Sequence, residues 1–157
     1  MAETAIIYQC VRLGIGVSRP LDDERYDLIL DLHPQLIRVQ CKWAVQHGDV
    51  VVVRLYSNRR GPSGMITKRY SSSEVDAFAA YCESTDRCYY LPCSFARFRE
   101  VRFRLGPTKN NQSARVRWAK DYELGATLLE AWGRSSAGRA SGWQPEGQGF
   151  EPPRLHS

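Results

Sequence analysis

Three side chains have the types and spacing to do chemistry together: Asp27, then Gln40 and Lys42 inside the run LIRVQCK. Alternate residues of a strand share a face, so Gln40 and Lys42 point one way while Ile37, Val39 and Cys41 point the other. Asp27 follows a polar turn at the start of the preceding strand. The short turn at His33, Pro34 and Gln35 predicts an antiparallel hairpin that brings Asp27 towards Gln40 and Lys42. An oxygen-rich pocket beside an ammonium group suits hydrolysis of a phosphodiester. Mg²⁺ takes hard oxygen ligands, which Asp27, the Gln40 amide and the backbone carbonyl of Cys41 could supply, and Mn²⁺ can substitute for it. Such a metal polarises the phosphate and activates water, and Lys42 could orient that water or offset charge in the transition state. Glu3 stands one helical turn before Ile7 at the edge of an apolar stripe, where it could complete the metal site. The alternative for Glu3 is a carboxylate attracted by the positive end of its helix. As spacing alone the pattern is weak: an Asp at a strand start is usually a turn residue, and a Lys on a strand face is usually solvated.

The elements that must position these groups can be read from periodicity. Residues 2–13 read as a helix, with Ile6, Ile7, Cys10 and Val11 on one stripe and Gly14 and Gly16 ending it. Residues 17–20 are extended, 22–25 form a polar turn, and 26–32 and 36–43 are strands. The β-branched run at 50–55 predicts a strand buried on both faces. A basic loop with Gly and Pro covers 57–64. Ser73 is expected to cap a helix over 74–82, whose Val75, Phe78, Ala79 and Cys82 share a helical face. Strands follow at 88–92 and 101–105, a polar basic stretch at 107–117, and a helix over 118–129. From Gly133 onward Gly, Ser, Arg, Pro and Gln alternate without periodicity, which predicts little order. The order of elements points to an α/β protein with a mixed central sheet flanked by helices.

Composition sets the outer limits. The 157 residues suffice for one domain with a real core, and 43% hydrophobic with 25% charged residues is ordinary for a globular chain. The sequence has no apolar run long enough to span a membrane and no secretion signal at its start, so a cytoplasmic location is expected. Five cysteines, mostly within apolar stretches, read as small hydrophobes, and the spacing of Cys82, Cys88 and Cys93 does not suit structural zinc. A net charge of +5 favours an anionic partner without naming it.

The sequence as a whole says more. VSRPLDDERYDLILD over residues 17–31, LIRVQCK over 36–42, YSSSEVDAFAAY over 70–81 and DRCYYLP over 86–92 together resemble the PD-(D/E)XK nucleases. The resemblance is to the homing endonucleases associated with group I introns, and it covers roughly residues 3–124. It implies a restriction-endonuclease-like α/β core, a catalytic Asp27, Gln40 where most of the superfamily has Asp or Glu, and an active-site Lys42. It also implies that Glu3 is the acid of the first helix, and that residues 1–125 form the endonuclease domain with 126–157 as a tail. The segment SSAGRASGWQPEGQGFEPP at 135–153 resembles a translated tRNA gene: Gly149 to Pro152 can be encoded GGG-TTC-GAA-CCC, which contains a common T-arm sequence.

These features imply a site-specific endonuclease acting on double-stranded DNA, with a tRNA gene as target, and no membrane partner. Two basic and amide-rich clusters could contact DNA: Asn58, Arg59, Arg60, Lys68 and Arg69, and Lys109, Asn110, Asn111, Gln112, Arg115 and Arg117. Cutting both strands from so small a domain calls for a homodimer or homotetramer. The competing readings are a Holliday-junction resolvase or repair nuclease of the same fold, and a catalytically inactive DNA-binding relic.

Overall fold

The computed structural model describes residues 1–107 and 115–128. Its first element is helix α1, Ala2–Arg12, which seats Ala2, Ile6 and Cys10 against a sheet. Strands β1 (Gly16–Ser18), β2 (Leu28–Asp31), β3 (Leu36–His47), β4 (Val50–Arg54), β7 (Ala77–Cys82), β8 (Arg87–Pro92) and β9 (Glu100–Arg104) form one mixed seven-stranded sheet. Strands β5 (Tyr56–Gly61) and β6 (Gly64–Arg69) pair separately as a two-stranded arm.

The long strand β3 organises everything else. On one edge residues 36–39 pair antiparallel with β2 and residues 44–47 pair antiparallel with β4. Residues 40–43 therefore lie at a fork where β3 changes neighbours on that edge. On its other edge β3 pairs in parallel with β7, from Val39 opposite Ala77 to Ala44 opposite Cys82.

Each face of the sheet has its own core. On one side α1 and the helical turn at 124–128 bury Ile6, Cys10, Leu28, Leu30, Val39, Cys41, Leu124 and Leu128. On the other, Val51, Val53, Phe78, Tyr89, Leu91 and Phe103 form a larger cluster, with Phe95 and Tyr122 packed against it. Tyr89 stacks on Phe103 at 5.8 Å, and Phe103 meets Tyr122 at 4.5 Å. Cys10, Cys41, Cys82 and Cys88 are buried thiols within these layers.

Four expectations need correcting. Residues 77–82 form a strand, not a helix. The short run AFAAYC is apolar on every side and suits a central strand as well as a helix, and pairing with both β3 and β8 decides it. A helical start is present just upstream, where the Ser71 N–H and hydroxyl both donate to Glu74, but the chain turns away from it. It is pulled straight by Asp76, whose N–H donates to the Arg38 carbonyl and whose carboxylate accepts from the Arg38 N–H at 2.8 Å. The supposed basic loop at 57–64 belongs to the β5–β6 arm. Nearly all its side chains are exposed, so no apolar alternation marks it as a strand. Strand β4 buries Val51 and Val53 but leaves Val50 and Val52 partly open, because only one of its faces meets a core. The expected helix over 118–129 is broken into a 3₁₀ turn at Ala119–Tyr122 and the helical turn at 124–128. Glu123, between them, bridges to Tyr89 of β8.

Candidate active site

Asp27 enters the fork of β3 by a backbone bond: its N–H donates to the Val39 carbonyl at 3.0 Å. Its side chain then turns inward, and Oδ2 accepts the Cys41 N–H at 2.7 Å and the Gln40 Nε2 amide. That N–H of Cys41 is available because residue 41 lies in the gap between the β2 and β4 ladders. The fork thus does two things for Asp27: it leaves an unpaired strand donor, and it fixes the carboxylate on it. Gln40 also lies within 3.3 Å of the Cys41 carbonyl. Of the three residues the sequence groups together, Asp27 and Gln40 meet at the fork, and Lys42 follows two residues along the same strand.

Lys42 is half-buried, and its ammonium donates to the Tyr56 carbonyl at 3.1 Å and to Tyr70 Oη at 2.9 Å. Glu3 comes from α1 and pairs with Arg19, which follows β1. Glu3, Arg19 and Asp27 line one small polar cleft of about 180 Å³, together with Asp22, Asp23 and Glu24. Burial pushes the Asp27 carboxyl above the usual carboxylate range. The Cys41 N–H opposes that, the negative charge of Glu3 adds to it, and Lys42 and Arg19 pull it back.

The oxygens of Asp27, Glu3, Gln40 and the Cys41 carbonyl are the hard donors that Mg²⁺ prefers. The charge of Glu3 adds to the upward shift of the half-buried Asp27 carboxyl, while Glu3 itself is paired with Arg19. Among the described residues, no three His, Cys, Asp or Glu side chains gather as a metal cluster.

Residues the sequence did not single out complete the surroundings. Arg19 neutralises Glu3, and Tyr56 and Tyr70 hold Lys42. Arg25 donates to Glu74 at 3.1 Å, to Ser57 at 3.1 Å and to the Arg69 carbonyl at 3.2 Å, with its guanidinium 4.3 Å from the Tyr70 ring centre. Only proximity in space marks them, since they come from three separate stretches of chain.

The expected DNA-contacting groups are divided by the arm. Cross-strand register places Asn58, Arg60 and Arg69 on one face of it and Arg59 and Lys68 on the other. Lys68 is drawn to Glu74 at 2.9 Å, and Asn58 accepts the Thr67 hydroxyl. Lys68 and its neighbours hold the Glu74 carboxyl down at about 2. Arg117 lies over the rings of Phe95 and Phe98, and its carbonyl accepts the Arg104 N–H, so it belongs to the lid of the larger core. Arg115 is exposed with a φ of 61°. Lys109, Asn110, Asn111 and Gln112 lie outside the described residues, as does the tRNA-like segment.

The comparison that decides the family is a match over residues 1–125 to the model of the PD-(D/E)XK endonucleases. The chain belongs to that family. As a PD-(D/E)XK endonuclease it is a DNA-cutting hydrolase of the α/β type, with its mixed sheet and few helices. Its structure is similar to that of a bacterial homing endonuclease, I-Ssp6803I, with a TM-score of 0.65 and 25% identity, over 87% of this chain and 93% of that one. No curated protein matches it at a significant level. No described helix is long and apolar enough to cross a membrane.

Proposed function

We propose that this PD-(D/E)XK endonuclease is a site-specific homing endonuclease that cuts double-stranded DNA at a tRNA gene with Mg²⁺. The observation that carries the catalytic part is the fork in β3, where Asp27 is clamped on the Cys41 N–H beside Gln40, with Lys42 two residues along the same strand. Likeness to a bacterial homing endonuclease supports the homing role, and the tRNA-like tail supports the target.

Asp27 and Glu3 would hold the cation, with Gln40 turning its amide oxygen inward and the Cys41 carbonyl alongside. A bound divalent cation supplies polarisation of the phosphodiester and activation of water. The protein's own groups do the rest. Asp27 is held by its two donors, Lys42 would present its ammonium to the phosphate, and Glu3 would have to leave Arg19 to serve as a ligand. Arg59, Arg60 and Arg69 on the arm offer charge to the DNA backbone and its grooves. Two active sites are needed for two strands, so the working form is a homodimer or homotetramer.

The test incubates the purified protein with Mg²⁺ and an uninterrupted tRNA gene and maps the ends. Cleavage at one site is expected, with Asp27→Asn and Lys42→Ala each lowering the rate at least a thousandfold, roughly the loss typical for electrostatic and metal-holding groups, while binding persists. Normal cutting by either variant would remove the assignment. The amide at Gln40 and the Arg19–Glu3 pair favour one competitor, the inactive DNA-binding relic, which binds this DNA and never cuts it.

A further inference from the structure

The two groups that hold Lys42 share a location. Tyr56 is the first residue of β5, and Tyr70 directly follows Arg69, the last residue of β6. Tyr56 and Arg69 form the closing pair of the arm. Both acceptors of the Lys42 ammonium thus stand at the arm's root, where it joins the main body.

An ammonium has three N–H donors and a flexible four-carbon stem, so its direction is set by what accepts from it. With one N–H on the Tyr56 carbonyl and another on Tyr70 Oη, the third is aimed by the other two. Tyr70 is suited to be the rigid member of the pair. It is only 7% exposed, meets Phe78 of β7 edge-on at 5.4 Å, and its ring centre lies 4.6 Å from the ammonium. Arg25 fastens the same root, reaching Ser57 on β5, the Arg69 carbonyl on β6 and the Tyr70 ring, while its partner Glu74 also takes Lys68 of β6. A two-stranded ribbon has little stability of its own, so its orientation on the body depends on these ties.

We infer that the root of the β5–β6 arm positions Lys42 for cleavage, with Tyr70 as the positioning residue, so that seating of the arm on DNA and alignment of the lysine are linked. This rests on the proposed role of Lys42 as an active-site group. Neither Tyr70 nor Arg25 touches the reacting atoms in this scheme. Their effect reaches the chemistry through the lysine.

The experiment measures single-turnover cleavage by the full chain with enzyme in excess over DNA, beside the DNA Kd in Ca²⁺ and the Tm. Tyr70→Phe keeps the ring, its packing on Phe78 and its contact with the ammonium, and removes only the hydroxyl. It is expected to lower the rate roughly ten- to a hundredfold, the size expected for a lost hydrogen bond to a charged group. Kd should stay within about twofold and Tm within a few degrees, a split that a merely structural role would not give. Arg25→Met cuts the polar ties of the arm's root without touching Lys42, and should lower the saturating rate as well. A wild-type rate for Tyr70→Phe overturns the positioning role, and a wild-type rate for Arg25→Met overturns the link to the arm. Lys42→Ala, measured alongside, separates the two levels. If it is inactive while Tyr70→Phe is normal, only this inference falls; if it too is normal, the reading of the site falls.

Discussion

Asp27 shows how one residue is made both costly and useful. Its carboxylate is taken partly out of water and set near Glu3, and the Cys41 N–H offsets only some of that. A carboxyl whose folded pKa lies above its unfolded value stabilises the fold most when protonated, at low pH, and that contribution is lost as pH rises through the folded pKa. Above its folded pKa the ionised Asp27 is therefore a burden on stability. Asp27→Asn keeps an oxygen for the Cys41 N–H and removes the charge. It should melt a few degrees above the parent at pH 8 in the absence of divalent cations, in line with the roughly 0.5–2 kcal/mol typical of relieved functional sites. The gap should narrow as pH is lowered and the parent's own carboxyl takes its proton. Thermal melts of both proteins from pH 8 to pH 4 check this, and a variant less stable than the parent at pH 8 would contradict it. At this scale the sequence was informative about identity and not about partners. Alternation along LIRVQCK put Gln40 and Lys42 on one face, but nothing in spacing connects Lys42 to Tyr70, or Glu3 to Arg19, because those contacts join residues 28 and 16 positions apart across intervening elements.

Elements were legible where one face is wet and the other dry. Helix α1 and strands β2, β3 and β9 carry that contrast, and the sequence places them to within a few residues. Two elements lack it in opposite ways. Strand β7 is apolar throughout, with Ala77, Phe78, Ala79, Ala80 and Cys82 buried, so period 2 and period 3.6 fit it equally. The β5–β6 arm buries neither face and reads as loop, although a Gly61–Gly64 closure is the kind of turn that marks a hairpin. Strand β7 lies between β3 and β8 and pairs with β3 along the whole fork, as its central support. Phe78 reaches from it into the larger core and against Tyr70. Phe78→Ala should cost about 3–5 kcal/mol, the usual range for truncating a buried aromatic ring. Urea denaturation measures the loss, and a cost below about 1 kcal/mol would mean that β7 is not the central support described. Phe78→Leu, which fills much of the same volume, should recover most of the stability.

Across the whole molecule, the sheet separates two cores that depend on distant parts of the chain. The core under α1 is closed by Leu124 and Leu128, which are almost fully buried and stand some 120 residues beyond Ile6 and Cys10 in sequence. We take the endonuclease domain to be residues 1–125 and the remainder to be a tail, yet Leu128 already contributes to the domain's packing. These two facts predict different outcomes for two truncations. A chain ending after residue 130 keeps both leucines and removes the tRNA-like segment. If that segment records where the gene lies rather than how the protein works, this chain should fold, bind and cleave like the full-length protein. A chain ending after residue 125 loses Leu128 and exposes the apolar side of α1 around Ile6 and Cys10. Removing one buried leucine costs about 2–5 kcal/mol, a large share of the roughly 5–15 kcal/mol that holds a domain of this size together. The shorter chain should therefore melt well below the longer one, and Glu3, carried on α1, should lose its place beside Asp27 before the strands lose theirs. Cleavage should accordingly fall more steeply with temperature in the shorter chain than far-UV circular dichroism does. Equal melting of the two truncations would show that the helical turn at 124–128 is not needed to hold α1, and with it Glu3, against the sheet.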